Sequence, residues 1–88
     1  MQQVKLTIKH PEGLHARPAA KFVEMANQFK SQIEVDYDKK TANAKSILNV
    51  LALGANQNAE VIVSARGEDA AKALRTLTEL VENNFEES

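Results

Sequence analysis

Ile33-Glu34-Val35-Asp36-Tyr37-Asp38-Lys39-Lys40-Thr41-Ala42-Asn43-Ala44 is the stretch that decides the fold. Ile33, Val35 and Tyr37 alternate with Glu34 and Asp36, the period-2 pattern of a strand with one buried face. Asp38-Lys39-Lys40 is polar enough to turn the chain into a short strand near Thr41–Ala44, although it lacks the glycine that a tight hairpin prefers. Two strands joined directly by a turn pair antiparallel. Upstream, Val4, Leu6 and Ile8 alternate with Lys5, Thr7 and Lys9 in a first strand, which His10-Pro11-Glu12-Gly13 breaks. Ala19, Phe22, Val23, Ala26 and Phe29 then follow helical spacing, and Pro18 fits only the first turn of such a helix.

Downstream, Ser46 stands as an N-cap before Ile47-Leu48-Asn49-Val50-Leu51-Ala52-Leu53, with Gly54 as the stop. This run is short and apolar almost all round, so it also suits a strand; the two caps decide for helix. Val61, Val63 and Ala65 alternate with Ile62 and Ser64 in a fourth strand that Gly67 ends. Asp69 is placed to cap a last helix with the stripe Ala70, Ala73, Leu74, Leu77, Leu80 and Val81. The order β-α-β-β-α-β-α predicts an α+β fold, an antiparallel sheet with helices packed on one face. No repeat, low-complexity tract or linker interrupts it, and 88 residues suit one domain over 1–88.

The 11 basic and 12 acidic side chains nearly cancel, which argues against a nucleic-acid binder with a basic face. Without cysteine there is neither a disulfide framework nor a thiolate metal site. Two histidines without a suitable carboxylate spacing make no metal site, and no cofactor is expected. No apolar run approaches the roughly 20 residues of a membrane-spanning helix. Met1-Gln2-Gln3-Val4-Lys5 lacks the form of a signal peptide, so the cytoplasm is the expected location. No nucleotide-binding glycine loop is present, which excludes a self-contained kinase. Residues 1–45 carry eight basic and five acidic groups, and residues 46–88 three and seven. The acidic end, with Glu79, Glu82, Glu86 and Glu87, reads as a solvated helix and tail in preference to a docking arm.

The basic half surrounds Gly13-Leu14-His15-Ala16-Arg17-Pro18-Ala19, which puts an imidazole at the start of the first helix. N–H groups there lack intrahelical partners, and the helix dipole is positive. An anion at His15 would meet free donors, a favourable field and the Arg17 guanidinium, the parts of a phosphate site. The same field keeps the ring neutral and nucleophilic, suited to a phosphoryl relay. From the residues alone, His15 also reads as an ordinary capping or surface histidine. His10 reads as a loop histidine.

The first motif, with Ala44-Lys45-Ser46-Ile47 and Leu53-Gly54, resembles the HPr family, the histidine-containing phosphocarriers of the bacterial sugar phosphotransferase system. The resemblance covers essentially the whole chain. It implies an open-faced sandwich, four antiparallel strands in order 1-4-2-3 under three helices. It implies that His15 accepts a phosphoryl group on Nδ1 from phospho-enzyme I and hands it to the IIA domain of a sugar permease. Arg17 would steady the phosphoryl oxygens, and the backbone from Ala16 would donate to them. The chain would then be a monomeric phosphoryl-transfer intermediate and not a self-contained enzyme. Ser46 would be a regulatory site for an HPr kinase/phosphorylase, its phosphoserine form binding a catabolite-repression regulator. As an unmodified N-cap, Ser46 is explained equally well. Of Ile47, Leu48 and Leu51, some must face the core, and the surplus matches the family's docking patch for enzyme I and IIA.

Three positions depart from the common pattern. Glu12 adds negative charge near His15, either acting on it, pairing with Arg17 or pointing into solvent. Asn49 bears on partner choice, and Asn58 occupies a loop position where asparagine tolerates left-handed backbone. Retention of His15 argues against relatives that have lost it. A regulator of the same fold or a nitrogen-branch carrier is the nearest rival reading. A small RNA-binding α+β domain is a more distant one, since the strands offer only Tyr37 as a stacking aromatic.

Overall fold

The computed structural model describes residues 1–86, so Glu87 of the acidic end lies outside the described residues. The elements run β1 (Gln2–Ile8), α1 (Ala16–Ala26), β2 (Gln32–Tyr37), β3 (Lys40–Asn43), α2 (Ile47–Ala52), β4 (Ala59–Arg66) and α3 (Ala70–Glu82). The four strands form one antiparallel sheet in the order β1-β4-β2-β3. The β-α-β-β-α-β-α order and the strand order are those read from the sequence and its family resemblance.

Strand alternation builds the sheet's inner face. One row crosses all four strands through Val4, Val63, Val35 and Ala42, flanked by Leu6 against Val61 and Ile33 against Ala65. On the outer face the corresponding row is Lys5, Ile62, Asp36 and Thr41. The helices cover the inner face, with α1 against α2 and α3, and α3 against β1 and β4. Phe22 and Ala19 of α1, Val50 of α2, and Ala73 and Leu77 of α3 are buried between the layers. Each is an apolar position at helical spacing, so burial follows from periodicity.

The hairpin closes without glycine. Asp38 (φ 49°) and Lys39 (φ 68°) both take left-handed backbone, the two-residue turn whose twist matches paired strands. The third strand therefore begins at Lys40 and ends at Asn43, one residue earlier than the composition suggests.

The connection into α2 is latched to the end of α1. The Lys45 ammonium donates to the Phe29 carbonyl at 2.6 Å, and the Asn27 amide donates to the Lys45 carbonyl at 3.2 Å. Ser46 is the N-cap of α2, its hydroxyl accepting from the Asn49 N–H at 3.3 Å. Leu53 lies at the C-cap and not inside the helix, with Gly54 (φ +68°) beyond it.

Asp69 departs from the sequence expectation. It precedes α3 but makes no capping hydrogen bond there. Its carboxylate instead accepts from the Lys30 N–H at 2.9 Å, the Ser31 N–H at 3.0 Å and the Ser31 hydroxyl. Three donors across the molecule outcompete the local one.

Candidate functional site

The loop between β1 and α1 is built on itself before it presents His15. The Gly13 N–H donates to the His10 carbonyl at 2.9 Å, and the Glu12 N–H donates to His10 Nδ1 at 3.0 Å. His10 also meets Phe85 edge-on, with ring centroids 6.0 Å apart. Phe85 is buried, returned by a bond from its N–H to the Leu80 carbonyl at 2.7 Å. His10 is thus a structural part of the loop. Phe85 falls outside the apolar stripe of the last helix, so periodicity gives no signal for it.

Gly13 admits a second loop. The Leu14 N–H donates to the Ala55 carbonyl at 2.8 Å. A Cβ on Gly13 would lie 2.5 Å from the Ala55 oxygen and 2.7 Å from the Asn56 Cα. The glycine's φ of +68° is also one that other residues adopt only at a cost. Close backbone approach therefore brings Ala55 and Asn56 alongside His15, and Asn56 Oδ1 lies 3.0 Å from His15 Nε2. This partner is 41 residues away, and no local pattern singles out Asn56.

His15 is the N-cap residue of α1, with extended backbone and no side-chain cap on the helix. The Ala16 and Arg17 N–H groups have no partner among the described residues. Pro18, which has no N–H, removes the next orphan donor from the turn. Ala16 has φ 44°, a left-handed conformation that costs a residue with a Cβ about 1–2 kcal/mol. Strain of this kind persists where surrounding structure imposes it.

Arg17 is exposed and makes no hydrogen bond or ion pair among the described residues. It lines a groove with His10, Pro11, Lys21, Phe85 and Glu86. Glu12 is exposed and forms no ion pair with Arg17, so the pairing version of its three readings is not the one the structure adopts. The arrangement thus offers a ring with one nitrogen engaged, two unpaired N–H groups and an uncommitted guanidinium. These are donors for a dianionic group beside a nucleophile.

Around α2 the three docking candidates separate. Leu48 is 75% exposed and Ile47 37%, whereas Leu51 is half-buried and packs against the core. Only the first two stand on the surface. Asn49 is tied inward, its Oδ1 accepting from the Asn43 N–H at 3.3 Å. Asn58 has φ 73°, as expected of an asparagine in that loop. Among the described residues there is no cluster of metal-ligating side chains, and no helix is long and apolar enough to cross a membrane.

Comparison with known proteins bears on this geometry. The family model for the PTS HPr component phosphorylation site matches residues 2–83. The phosphocarrier protein HPr of Buchnera aphidicola subsp. Acyrthosiphon pisum is 46% identical over 76 residues, 86% of this chain and 87% of that protein. The crystal structure of HPr-C-His from Thermoanaerobacter tengcongensis has a TM-score of 0.96 at 46% identity, covering 100% of this chain and 99% of that one. The HPr dimer from the same organism has a TM-score of 0.79 at 47% identity, covering 99% of this chain and 100% of that one.

Proposed function

The chain belongs to the HPr family of phosphocarriers, and from that premise we propose that His15 accepts a phosphoryl group from phospho-enzyme I and passes it to IIA domains of sugar permeases. The observation that carries this reading is His15 at the uncapped start of α1, beside two unpaired N–H groups and near an uncommitted Arg17. The lone pair on Nδ1 attacks phosphorus, and the bond to the donor breaks with its electron pair staying on the donor. In the onward step the acceptor attacks phosphorus, and the N–P electron pair returns to Nδ1. The Ala16 and Arg17 N–H groups and the guanidinium offset charge on the phosphoryl oxygens throughout. The chain acts as a relay intermediate in the cytoplasm, without a cofactor and as a monomer.

Incubation with enzyme I and labelled phosphoenolpyruvate tests this reading. A fast, acid-labile label on His15 is expected, followed by its loss to a IIA domain. If only a nitrogen-branch enzyme I labels the chain, the rival reading as a nitrogen-branch carrier replaces it.

A second reading concerns Ser46, because its Oγ heads α2 immediately before the exposed Ile47 and Leu48. An HPr kinase/phosphorylase would modify it, and a catabolite-repression regulator would bind the phosphoserine beside this apolar pair. A phosphate at a helix start is compatible with the dipole, so the fold should tolerate it. Labelling with the kinase and ATP tests the site, and label on any other residue removes it.

A further inference from the structure

We infer that Asn56 is a positioning residue for His15, fixing which ring nitrogen carries the proton and leaving the other free for phosphorus. The inference rests on the reading of His15 as the phosphoryl acceptor. Asn56 Oδ1 lies 3.0 Å from His15 Nε2. A carboxamide oxygen only accepts, so the contact is a hydrogen bond in the tautomer that carries its proton on Nε2. A neutral imidazole has one N–H, and placing it on Nε2 leaves the lone pair on Nδ1. The nucleophile is thereby selected before a donor protein arrives.

The two backbones that carry these side chains are fixed against each other. The 54–58 loop is fixed to the histidine loop by the Leu14 N–H on the Ala55 carbonyl at 2.8 Å. It is fixed to the end of β1 by the Asn58 N–H on the Ile8 carbonyl at 2.6 Å. The Gln57 amide adds a bond to the Lys9 carbonyl at 3.3 Å. Gly13 leaves no room for a side chain between the two loops, so their separation is set by main-chain contact. Asn56 therefore meets the ring from a rigid base, as an orienting group must.

The contact also acts during transfer. As the Nδ1–P bond forms, the ring gains positive charge, while the bond from phosphorus to the donor breaks with its electrons left there. The proton stays on Nε2 throughout, and a hydrogen bond from a charged donor is stronger than one from a neutral donor. Asn56 thus favours the loaded ring over the empty one.

The experiment is nitrogen-15 NMR of the His15 ring at about pH 8.5, where ordinary imidazoles are neutral, alongside labelling by enzyme I. In the unaltered protein the Nε2–H tautomer is expected to dominate. Asn56→Ala should reduce the ratio of Nε2–H to Nδ1–H by about two- to tenfold, the worth of one ordinary hydrogen bond. Its phosphoryl acceptance should slow by a similar factor. Asn56→Asp keeps the acceptor oxygen and should restore the tautomer ratio, whatever its added charge does to the rate. A dominant Nδ1–H form in the unaltered protein overturns the inference without any variant. So does an unchanged tautomer ratio in Asn56→Ala while His15 still takes the label. Label on a residue other than His15 instead overturns the carrier reading, and with it the nucleophile that Asn56 would orient.

Discussion

At His15 the chemistry depends on donors left unsatisfied, and those differ in how replaceable they are. His15→Ala is expected to abolish acceptance from enzyme I while keeping the fold, since the ring is only half-buried and caps nothing. Labelling of the alanine variant at normal rate would remove His15 from the chemistry. Arg17→Ala should slow transfer about ten- to a hundredfold, the loss of a charge-assisted contact with the backbone donors still in place. Transfer rates unchanged from the parent in both directions would exclude the guanidinium. Gly13→Ala attacks the same site through its frame, because a Cβ there meets the Ala55 oxygen at 2.5 Å with φ already at +68°. We expect a loss of at least about 2 kcal/mol, hence a fall in Tm of about 10 °C or more. A variant as stable as the parent would show that the two loops can separate freely.

Within single elements, the surface of α2 and the turn of the hairpin give separable tests. Leu48→Lys should change stability by less than about 0.5 kcal/mol, since the side chain is 75% exposed. Leu51→Lys should cost about 1–3 kcal/mol, because its partly buried side chain packs on the core and lysine only partly replaces it. If Leu48 meets enzyme I, its lysine variant loses transfer rate at normal stability; unchanged rates would move the docking face elsewhere. Ser46→Asp should keep the helix capped yet slow transfer most at low salt, where added charge is least screened. The same elements show how far the sequence was legible. Alternation in β1, β2 and β4 and the apolar spacing in α1 and α3 are strong periodic signals, so element order and sheet face could be read directly. The Ser46 cap is local, three residues from its donor, and so was visible too. Asp69 was not: its donors lie 38 and 39 residues upstream, and an aspartate before a helix looks the same whether or not it caps. Asn56 escaped for the same reason, its partner being on another loop.

Across the whole molecule, the Asp69 contact joins two connections that only the finished fold brings together. Its carboxylate ties the turn after α1 to the turn before α3, where Gly67 (φ +146°) lets the backbones approach; a Cβ there would meet Ser31 Oγ at 2.6 Å. The Ser31 hydroxyl foremost, then the Lys30 N–H, hold the Asp69 carboxyl down from 3.8 to about 2, against partial desolvation that pulls it up. A carboxyl whose folded value lies below its unfolded one adds stability above the unfolded value. That share is lost as pH falls through the folded value, here between 3.8 and about 2. Asp69→Asn should therefore lower the urea midpoint near about pH 7 and remove this contribution from the acid limb. The gap between parent and variant should narrow steadily from 3.8 down to about 2, where the parent's folded carboxyl is half protonated, and close below it. Ser31 is 1% exposed, so an amide at position 69 could still accept from one of its two donors, and the variant should remain folded at neutral pH. A gap that stays constant through this window would mean that the carboxylate's charge contributes nothing to the seam. In that case hydrogen bonds independent of that charge, with the fit of Gly67 against Ser31, would hold the two connections together.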